Sequence, residues 1–260
     1  MRQWTSIAIT GASSGLGAAI ACAAAAPGVV LHLAGRDAGR LTAVAAVAAE
    51  CGAAEVRIQL LDVTNAAACA AWIAGMGRID LLIANAGISA GAGDGVESAA
   101  QVRAIFATNL DGVLNVALPA LAAMRAQAPG RDGTRGRVAV MASIAAFVAA
   151  PGAASYCASK SAVQRWAEAT DATERHFGVR LSAVCPGYVR TPMTAGNAFP
   201  MPWLMSPAAA AKRVLDGLAA GRLRVVFPRR LYVLARLFGA LPPGLRHRLM
   251  ARMPAKSAQM

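Results

Sequence analysis

One stretch, Thr10-Gly-Ala-Ser-Ser-Gly-Leu-Gly17, decides the fold of this 260-residue chain. It joins an apolar run that predicts a strand to an alanine-rich segment, Leu16–Ala26, that predicts a helix. Glycines at such a junction permit a tight turn and let a pyrophosphate approach the backbone amides at the helix start. The residues placed to make that contact are Gly11, Ser13, Ser14, Gly15, Leu16 and Gly17. Taken alone, these glycines also fit an ordinary turn between a strand and a helix.

Outward from this turn, strand-like and helix-like segments alternate along the chain with short connections. Seven strands are predicted, near Ser6–Thr10, Val29–Ala34, Glu55–Leu60, Ile79–Ala84, Arg137–Ala142, Val179–Cys185 and Leu223–Phe227. The helices between them include one from about Gln101 to Gln127 and another from about Ala154 to His176. Asp37 or a neighbour is predicted to start the second helix, Asn65 to cap the third, and Ser206 with Pro207 to begin a later one. The sequence therefore predicts an α/β fold, a Rossmann-like doubly wound sheet of seven parallel strands with helices on both faces.

The composition excludes several classes of protein. With 57% hydrophobic and 15% charged residues, the chain is not intrinsically disordered. No run of about 18 strongly apolar residues without charge occurs, so no membrane-spanning helix is predicted. The apolar run before Gly11 is too short for the centre of a signal peptide. The five cysteines show no C-x-x-C spacing, which disfavours a metal site or disulfides and fits a reducing cytoplasm.

The net charge of +13 is concentrated near the C-terminus, where residues 212–256 hold eleven Lys and Arg residues against one acid, Asp216. These cations alternate with Leu, Val and Phe rather than forming a polar stripe, so nucleic-acid binding is not predicted. Apolar residues of this tail recur at helical spacing, at Leu231, Leu234, Leu237, Phe238 and Leu241. Such a helix fits three roles: contact of residues 228–253 with an anionic membrane surface, a cover over an active-site mouth, or contact with a second subunit.

A second motif, Tyr156-x-x-x-Lys160, places a phenol and an ammonium on one face of a predicted helix. A nearby ammonium stabilises phenolate and lowers a tyrosine pKa from about 10 toward the range where general acid–base catalysis is efficient. Ser143 ends the preceding strand, where its hydroxyl can bind a substrate oxygen, and Asn109 in the long helix can continue a proton relay from Lys160. A lone Tyr–Lys pair is also typical of a half-exposed helix face, and Ser143 also fits a strand-end cap. The prediction therefore depends on the whole constellation.

The end of the second strand bears on the choice of nucleotide. An acid that binds the ribose hydroxyls of NAD is expected there, but Gly35 occupies the place and Arg36 follows. A guanidinium can bind a phosphate through two parallel hydrogen bonds, so NADP(H) is predicted over NAD(H). Asp37 is the competing acid, although its position suits helix capping better. Arg36 also fits a solvated loop cation.

Two further strand ends complete the predicted nucleotide site. Asp62 and Val63 follow the third strand, where the carboxylate can accept a hydrogen bond from the adenine amino group. A helix-capping Asp is an almost equally good local explanation. Asn85, Ala86 and Gly87 follow the fourth strand, where small residues let the backbone lie close to a cofactor and Asn85 can tie the strand ends together.

These residues together make the chain resemble the short-chain dehydrogenase/reductase family, in its compact single-domain form, from the first strand to about residue 227. The matching elements are Thr10–Gly17, Asp62, Asn85-Ala86-Gly87, Asn109, Ser143, Tyr156, Lys160, Pro186-Gly187 and Thr191. The resemblance implies that Tyr156 is the acid/base and that Ser143 orients the carbonyl. It also implies that Lys160 binds the nicotinamide ribose and lowers the Tyr156 pKa, while Asn109 supports the relay.

The same resemblance implies further cofactor contacts at Pro186 and Gly187, and a carboxamide held by Thr191 and the Val189 backbone. It implies as well that the irregular segment 187–206 closes over the substrate as a lid. Methionines and aromatic rings there suit an apolar or acyl substrate, with Tyr188 and Met193 as predicted contacts. Packing of these side chains onto the core is an equally good explanation.

Residues 1–227 are thus predicted to form a dinucleotide-binding catalytic domain that includes the lid, and residues 228–260 a basic amphipathic tail. The predicted function is NADP(H)-dependent interconversion of a ketone and a secondary alcohol, on a small-molecule substrate that is apolar or acyl- and lipid-like. A membrane-surface scaffold and a cofactor-sensing regulator of the same fold remain alternatives, as does a small polar or sugar-like carbonyl substrate. A homodimer or homotetramer is predicted, with no metal, located in the cytoplasm or peripherally at the inner face of a membrane.

Overall fold

The computed structural model describes residues 4–89, 91, 96–130, 133–197 and 199–250. Its strands are β1 (Ser6–Thr10), β2 (Val30–Gly35), β3 (Glu55–Leu60), β4 (Leu81–Ala84), β5 (Gly136–Met141), β6 (Val179–Pro186) and β7 (Arg224–Phe227). They form one sheet in the order β3-β2-β1-β4-β5-β6-β7, and every neighbouring pair is parallel. The predicted seven-stranded parallel sheet is confirmed.

The helices follow the strands in alternation. They are α1 (Gly15–Ala24), α2 (Ala38–Glu50), α3 (Ala66–Ala74), α4 (Ala99–Phe106), α5 (Gly112–Ala126), α6 (Ala154–Glu174), α7 (Pro192–Ala195), α8 (Pro207–Ala219), α9 (Arg229–Gly239) and α10 (Pro243–Met250). A π-helical turn, Ala107–Asp111, joins α4 to α5 without a break. Short 3₁₀ turns occur at Ile144–Phe147 and Arg175–Phe177.

Two apolar cores lie on the two faces of the sheet, because successive side chains of a strand point to opposite faces. In β1, Ile7 and Ile9 pack with buried residues of α1, α2 and α8, whereas Ala8 packs with those of α3, α5 and α6. Strands β1, β4 and β5 are buried along their whole length, which explains why their residues, apart from Ser6, Thr10 and Arg137, are apolar or glycine.

Local capping signals begin the helices where the sequence predicts them. The side chains of Asp37, Asn65 and Ser206 each accept a hydrogen bond from the backbone N–H three residues on. Pro207 then occupies the first turn of α8, where its missing N–H costs no hydrogen bond. These caps are confirmed, and the observed ends of the strands agree with the predicted ends to within two residues.

The long helix differs from its prediction. It spans Ala99–Ala126 rather than residues 101–127, and the π-helical turn interrupts its regular hydrogen bonding. It is long and apolar enough to cross a membrane by length and composition, yet 44% of an 18-residue apolar stretch within it is buried inside the protein. Because α5 packs against α3, β4 and β5, this burial is typical of a core helix.

A crevice forms where the strand order reverses. Strand β1 lies between β2 and β4, so the connections leaving β1 and β4 diverge at the same edge of the sheet. Ligands of doubly wound sheets bind outside the carboxyl ends of the strands at such a switch point. The fold therefore places residues 11–14 and 85–87 side by side at the expected binding edge.

The predicted tail begins as two helices, α9 and α10. Helix α9 packs against the turn Ile144–Phe147 and against β7. Residues 251–260 of the tail lie outside the described part of the chain, as does residue 198 of the predicted lid. The division of the chain at residue 227 stays a prediction.

Candidate active site

A cleft of about 310 Å³ opens at the carboxyl ends of the strands, at the switch point. Most predicted site residues line it: Gly11, Ser13, Ser14, Gly15, Leu16, Arg36, Asp62, Val63, Asn85, Ala86, Gly87, Ser143, Tyr156, Lys160, Pro186, Gly187, Val189, Thr191 and Met193. The fold thus brings the glycine turn, the Tyr156–Lys160 pair and the start of the lid to one continuous cleft.

The glycine turn is built by backbone geometry. Gly11 and Gly15 have φ values of +64° and +58°, a left-handed conformation that other residues adopt at a cost. Gly17 does not line the cleft, because it packs behind the turn, where a Cβ would lie 2.2 Å from the carbonyl oxygen of Gly11. Its lack of a side chain lets α1 approach β1, so it shapes the turn from behind.

Asn85 and Thr10 tie β1 to β4 at the floor of the cleft. The Thr10 hydroxyl accepts hydrogen bonds from the backbone N–H groups of Asn85 and Ala86, both at 3.1 Å. The Asn85 amide donates to the carbonyl oxygens of Thr10 and Gly11, at 3.0 and 3.2 Å. Asn85 therefore ties the two strand ends together, as the sequence predicts for this position.

At the outer end of the cleft, beyond β2, the charged groups are exposed. Asp37 caps α2 and also accepts a hydrogen bond from Arg40 Nε at 2.8 Å. Arg36 is exposed at the cleft wall, and Arg40 lines the same wall one helical turn later. The competing acid Asp37 is thus engaged in capping, and two guanidinium groups lie near the ribose end of the predicted nucleotide site.

Asp62 is held by a local turn rather than by a helix start. Its Oδ1 accepts hydrogen bonds from the backbone N–H and the hydroxyl of Thr64, at 2.9 and 2.8 Å. The Thr64 N–H is the main cause that lowers the pKa of Asp62, with burial opposing it and the Arg36 charge adding to it. Since Asn65 is the residue that caps α3, the alternative interpretation of Asp62 as a helix cap is wrong.

The inner end of the cleft is buried and polar. Lys160 is 4% exposed, and its Nζ donates a 2.8 Å hydrogen bond to the Met141 carbonyl oxygen at the end of β5. Nζ lies 5.8 Å from the centre of the Tyr156 ring. Tyr156 hydrogen-bonds Ser143, whose Oγ also accepts a hydrogen bond from the Ala145 N–H at 3.1 Å. The serine, the phenol and the ammonium therefore converge from β5 and α6.

The pKa of Tyr156 differs from its prediction. Burial raises it above the usual value, and the hydrogen bond with Ser143 opposes this only in part. Burial also lowers the pKa of Lys160 to about 8. The phenol pKa is not lowered below its usual value as the sequence leads one to expect, because desolvation of the phenol is the larger effect. Tyr156 is thus protonated at neutral pH.

Asn109 lies just behind the cleft in the π-helical turn. Its Oδ1 accepts a hydrogen bond from the Ile88 N–H at 2.8 Å, and its Nδ2 donates to the Ile88 carbonyl oxygen at 2.9 Å and to Ser159 Oγ at 3.3 Å. A Cβ on Gly87 would lie 3.2 Å from Asn109 Oδ1 and 3.3 Å from Lys160 Nζ. Asn109 therefore positions the loop after β4 beside Lys160, without a direct hydrogen bond to it.

The start of the lid is ordered by its own threonines. Thr191 and Thr194 form a capping box at α7, and Val189 pairs with Met205 in an isolated parallel bridge. Met193 lines the cleft, as predicted for a substrate contact. Tyr188 does not line it, because its ring packs against Phe199 with ring centres 6.0 Å apart.

Several residues that line the cleft are absent from the sequence-based list. They include Arg40, Leu61, Ile88, Thr108, Met141, Pro192 and Thr194. A signal existed for two of them. Arg40 lies three residues after Asp37 on the first turn of a predicted helix, and Thr194 lies three residues after Thr191, the spacing of a capping box. The others are apolar or lie inside predicted elements and carry no chemical signal.

Comparison with known proteins places this geometry in context. The profile of a family described as short chain dehydrogenase matches residues 5–199. An uncharacterized oxidoreductase of Myxococcus xanthus is 36% identical over 240 residues, covering 90% of this chain and 91% of the relative. An acetoacetyl-CoA reductase of Shinella zoogloeoides is 32% identical over 219 residues, covering 83% of each protein.

Solved structures share the whole architecture. A short-chain dehydrogenase from Sphingobium yanoikuyae, in complex with NADPH, superposes with a TM-score of 0.77 at 27% identity and covers 98% of both chains. Other solved structures of this fold are described as complexes with NADP or with NAD. A pyridine nucleotide is therefore the cofactor class common to these neighbours.

Proposed function

Because the chain belongs to the short-chain dehydrogenase/reductase family, we propose that it interconverts a ketone and a secondary alcohol with NADP(H), using Tyr156 as acid and base. Members of the family are NAD(P)-dependent oxidoreductases that act on CH–OH and C=O groups, and this chain is one of them. The observation that supports the proposal is the convergence of Ser143, Tyr156 and Lys160 at one end of a cleft whose other wall is the glycine turn.

The residues of the cleft fit a dinucleotide. Gly11 and Gly15 take left-handed conformations, and no side chain projects from them into the space beside the first turn of α1. Backbone N–H groups at a helix start bind phosphate oxygens well, and Ser13 and Ser14 add hydroxyls at the same place. We infer that this turn holds the pyrophosphate, with Asp62 and Val63 near the adenine. Thr191 and the Val189 backbone would then hold the carboxamide.

The chemistry that the bound nicotinamide supplies is hydride transfer to or from the substrate carbon. Ser143 and Tyr156 hold the substrate oxygen between their hydroxyls. As negative charge develops on that oxygen, Tyr156 donates its O–H proton, and in the reverse reaction the phenolate accepts it. Because burial raises the pKa of Tyr156, the phenol retains this proton at neutral pH and is ready for the reductive direction.

Lys160 supports this proton transfer from a fixed position. Its hydrogen bond to the Met141 carbonyl oxygen aims the ammonium toward the cleft between Tyr156 and Gly87. A buried positive charge stabilises a phenolate that forms nearby, so the ammonium contributes when Tyr156 gives up its proton. We infer that Lys160 also binds the nicotinamide ribose and that Asn109 supports the relay by fixing the Ile88 backbone.

The preference for NADP(H) rests on Arg36 and Arg40. Both side chains line the end of the cleft beyond β2, and Gly35 stands where an NAD-binding acid is expected. Asp37 lies at the same wall but is engaged with Arg40 and with the α2 N-terminus. Two guanidinium groups beside one carboxylate that already caps a helix favour binding of the additional phosphate that NADP(H) carries and NAD(H) lacks.

An apolar or acyl substrate is favoured by the lid. Of the predicted apolar lid residues, Met193 lines the cleft. An unbranched thioether side chain adapts to varied apolar ligands. The similarity to an acetoacetyl-CoA reductase supports a carbonyl on an acyl chain. We also propose a homodimer or homotetramer in the cytoplasm.

A steady-state assay tests the reaction. The full-length protein is mixed with NADPH or NADH and a panel of apolar, acyl-thioester and polar ketones, and nucleotide oxidation is followed by absorbance. We expect turnover of at least one ketone with NADPH, and turnover lower by about 1000-fold or more with Tyr156→Phe, although the variant should still bind NADPH. Nucleotide binding without turnover across the panel would instead favour the cofactor-sensing regulator. Full activity of Tyr156→Phe would exclude the proposed proton donor.

A further inference from the structure

Helix α9 presents two chemically different faces. Toward the protein, the Tyr232 ring packs edge-on against Phe147, with ring centres 5.2 Å apart, and its hydroxyl accepts a 2.7 Å hydrogen bond from Arg224. Toward the outside, Val233, Leu234 and Leu237 are 51%, 53% and 63% exposed. Burial of one such side chain is worth about 1.5–3 kcal/mol, so three of them on one helix face are typical of an interaction surface.

The inner contacts fix α9 in this orientation. The guanidinium groups of Arg224 and Arg236 lie 5.2 and 5.6 Å from the centre of the Phe147 ring. Gly239 packs so closely that a Cβ there would lie 2.1 Å from the Phe147 carbonyl oxygen. The helix cannot turn its outer face inward without breaking these contacts, so within the described part of the chain the three apolar side chains stay exposed.

The charge around this outer face is positive. The sequence contains no Asp or Glu after Asp216, whereas nine Lys and Arg residues follow it. Arg229 and Arg230 are exposed on the first turn of α9, beside the apolar row. In α10, the exposed Leu245 and Leu249 again alternate with arginine. Apolar side chains flanked by arginines match the boundary between anionic lipid headgroups and acyl chains.

We propose that the outer face of α9, together with α10, binds an anionic lipid surface. This binding would bring the end of the cleft that contains Ser143 and Tyr156 close to the lipid. Helix α9 adjoins that end: a Cβ on Gly187, which lines the cleft, would lie 2.8 Å from Leu231 Cδ2 and 3.4 Å from Ile144 Cδ1. Ile144 directly follows Ser143. An apolar substrate dissolved in the bilayer would then reach Ser143 from the lipid side.

Sedimentation of the full-length protein with vesicles tests this proposal. We expect binding to vesicles of phosphatidylcholine mixed with phosphatidylglycerol at low salt, weaker binding at about 0.15 M salt, and little binding to phosphatidylcholine alone. Leu234→Glu with Leu237→Glu should weaken binding about tenfold or more, because both leucines leave the lipid. Arg229→Gln with Arg230→Gln should also weaken it about tenfold, through lost attraction to the headgroups.

The matched control is Val47→Glu with Ile58→Glu, which places the same two charges on apolar residues of α2 and β3 that are each 46% exposed. It should bind vesicles like the wild type, and unchanged melting temperatures should show that all variants fold. The test does not depend on the proposed reaction. Failure of the wild type to sediment with anionic vesicles at low salt, or an equal loss in the control variant, would overturn the proposal. If the wild type does not bind vesicles and the leucine variant loses self-association in analytical ultracentrifugation, a second copy of the chain covers the outer face of α9 instead.

Discussion

At the outer end of the cleft, Arg36, Asp37 and Arg40 lie at the surface, and the contacts between Asp37 and Arg40 join residues three positions apart in sequence. At the inner end, Lys160 and Asn109 are buried and bound to backbone groups of other elements, nineteen and twenty-one positions distant. Charged groups in water gain little from each other, whereas buried ones lose much when a partner is removed. Substitutions at the outer end should therefore alter selectivity alone, and those at the inner end should alter activity or stability.

The largest effect is expected at the phenol. Tyr156→Phe removes the donated proton but leaves the ring and its packing, so kcat should fall about 1000-fold or more while NADPH affinity stays unchanged. Stopped-flow kinetics and nucleotide fluorescence separate the two quantities. Tyr188→Phe is the matched control, since its ring packs on Phe199 and should lose less than about twofold. A large loss in both variants would remove the distinction between the two tyrosines.

The buried ammonium of Lys160 should make the free energy of unfolding depend on pH. Burial lowers the pKa of Lys160 to about 8 in the folded protein, against about 10.4 when unfolded. The charged form therefore costs stability below about pH 8, and this cost disappears as the pH rises to about 10.4. Relative to Lys160→Met, the wild type should gain about 3 kcal/mol across that window in urea unfolding.

An exposed lysine provides the comparison for this effect. Lys212 pairs with Asp216 at the surface of α8 and is exposed, so Lys212→Met should change the free energy of unfolding by less than about 1 kcal/mol. If wild type and Lys160→Met keep the same stability difference at every pH, the inner end does not hold a desolvated charge.

The amide behind the cleft should contribute next. Asn109→Leu leaves the N–H and carbonyl of Ile88 without their partner, at a cost of about 2 kcal/mol in the free energy of unfolding. Asn115 sits on the same long helix and donates one hydrogen bond, to the Val63 carbonyl oxygen. Asn115→Leu should therefore cost about half as much by the same measurement. Equal losses in the free energy of unfolding would show that the two hydrogen bonds between Asn109 and Ile88 stabilise the protein no more than the single hydrogen bond of Asn115.

The smallest effect on the protein is expected at the outer end. Arg36→Ala with Arg40→Ala should weaken NADPH binding about tenfold through loss of charge-assisted hydrogen bonds, with NADH binding unchanged. Stability should change by less than about 0.5 kcal/mol, because both side chains are exposed. Titration calorimetry with each nucleotide measures this. Arg57→Ala, on the exposed edge strand β3, should alter neither affinity. Equal weakening of NADH binding would mean that the two arginines contact a group that NADPH and NADH have in common.

The fold was accessible from the sequence because local signals agree with each other. Strands β1 and β3 have the predicted bounds, and the caps at Asp37, Asn65 and Ser206 begin their helices as predicted. Side-chain period and capping act over a few residues, so they are readable without tertiary contacts.

The π-helical turn at Ala107–Asp111 was not accessible in this way. It occurs where the long helix contacts other parts of the chain. A Cβ on Gly112 would lie 2.5 Å from Val63 Cγ2, and Asn109 accepts a hydrogen bond from the Ile88 N–H. Both partners are distant in sequence. The raised pKa of Tyr156 was missed for the same reason, since the burial that causes it depends on the packed cleft.

Helix α1 and the lid almost touch across the cleft: a Cβ on Gly15 would lie 3.2 Å from both Cβ and Cγ2 of Thr191. Both residues border the path between the glycine turn and Tyr156. Any side chain at position 15 would therefore displace the Thr191 segment, so the bare glycine is what lets the lid begin this close to the turn that we propose holds the pyrophosphate.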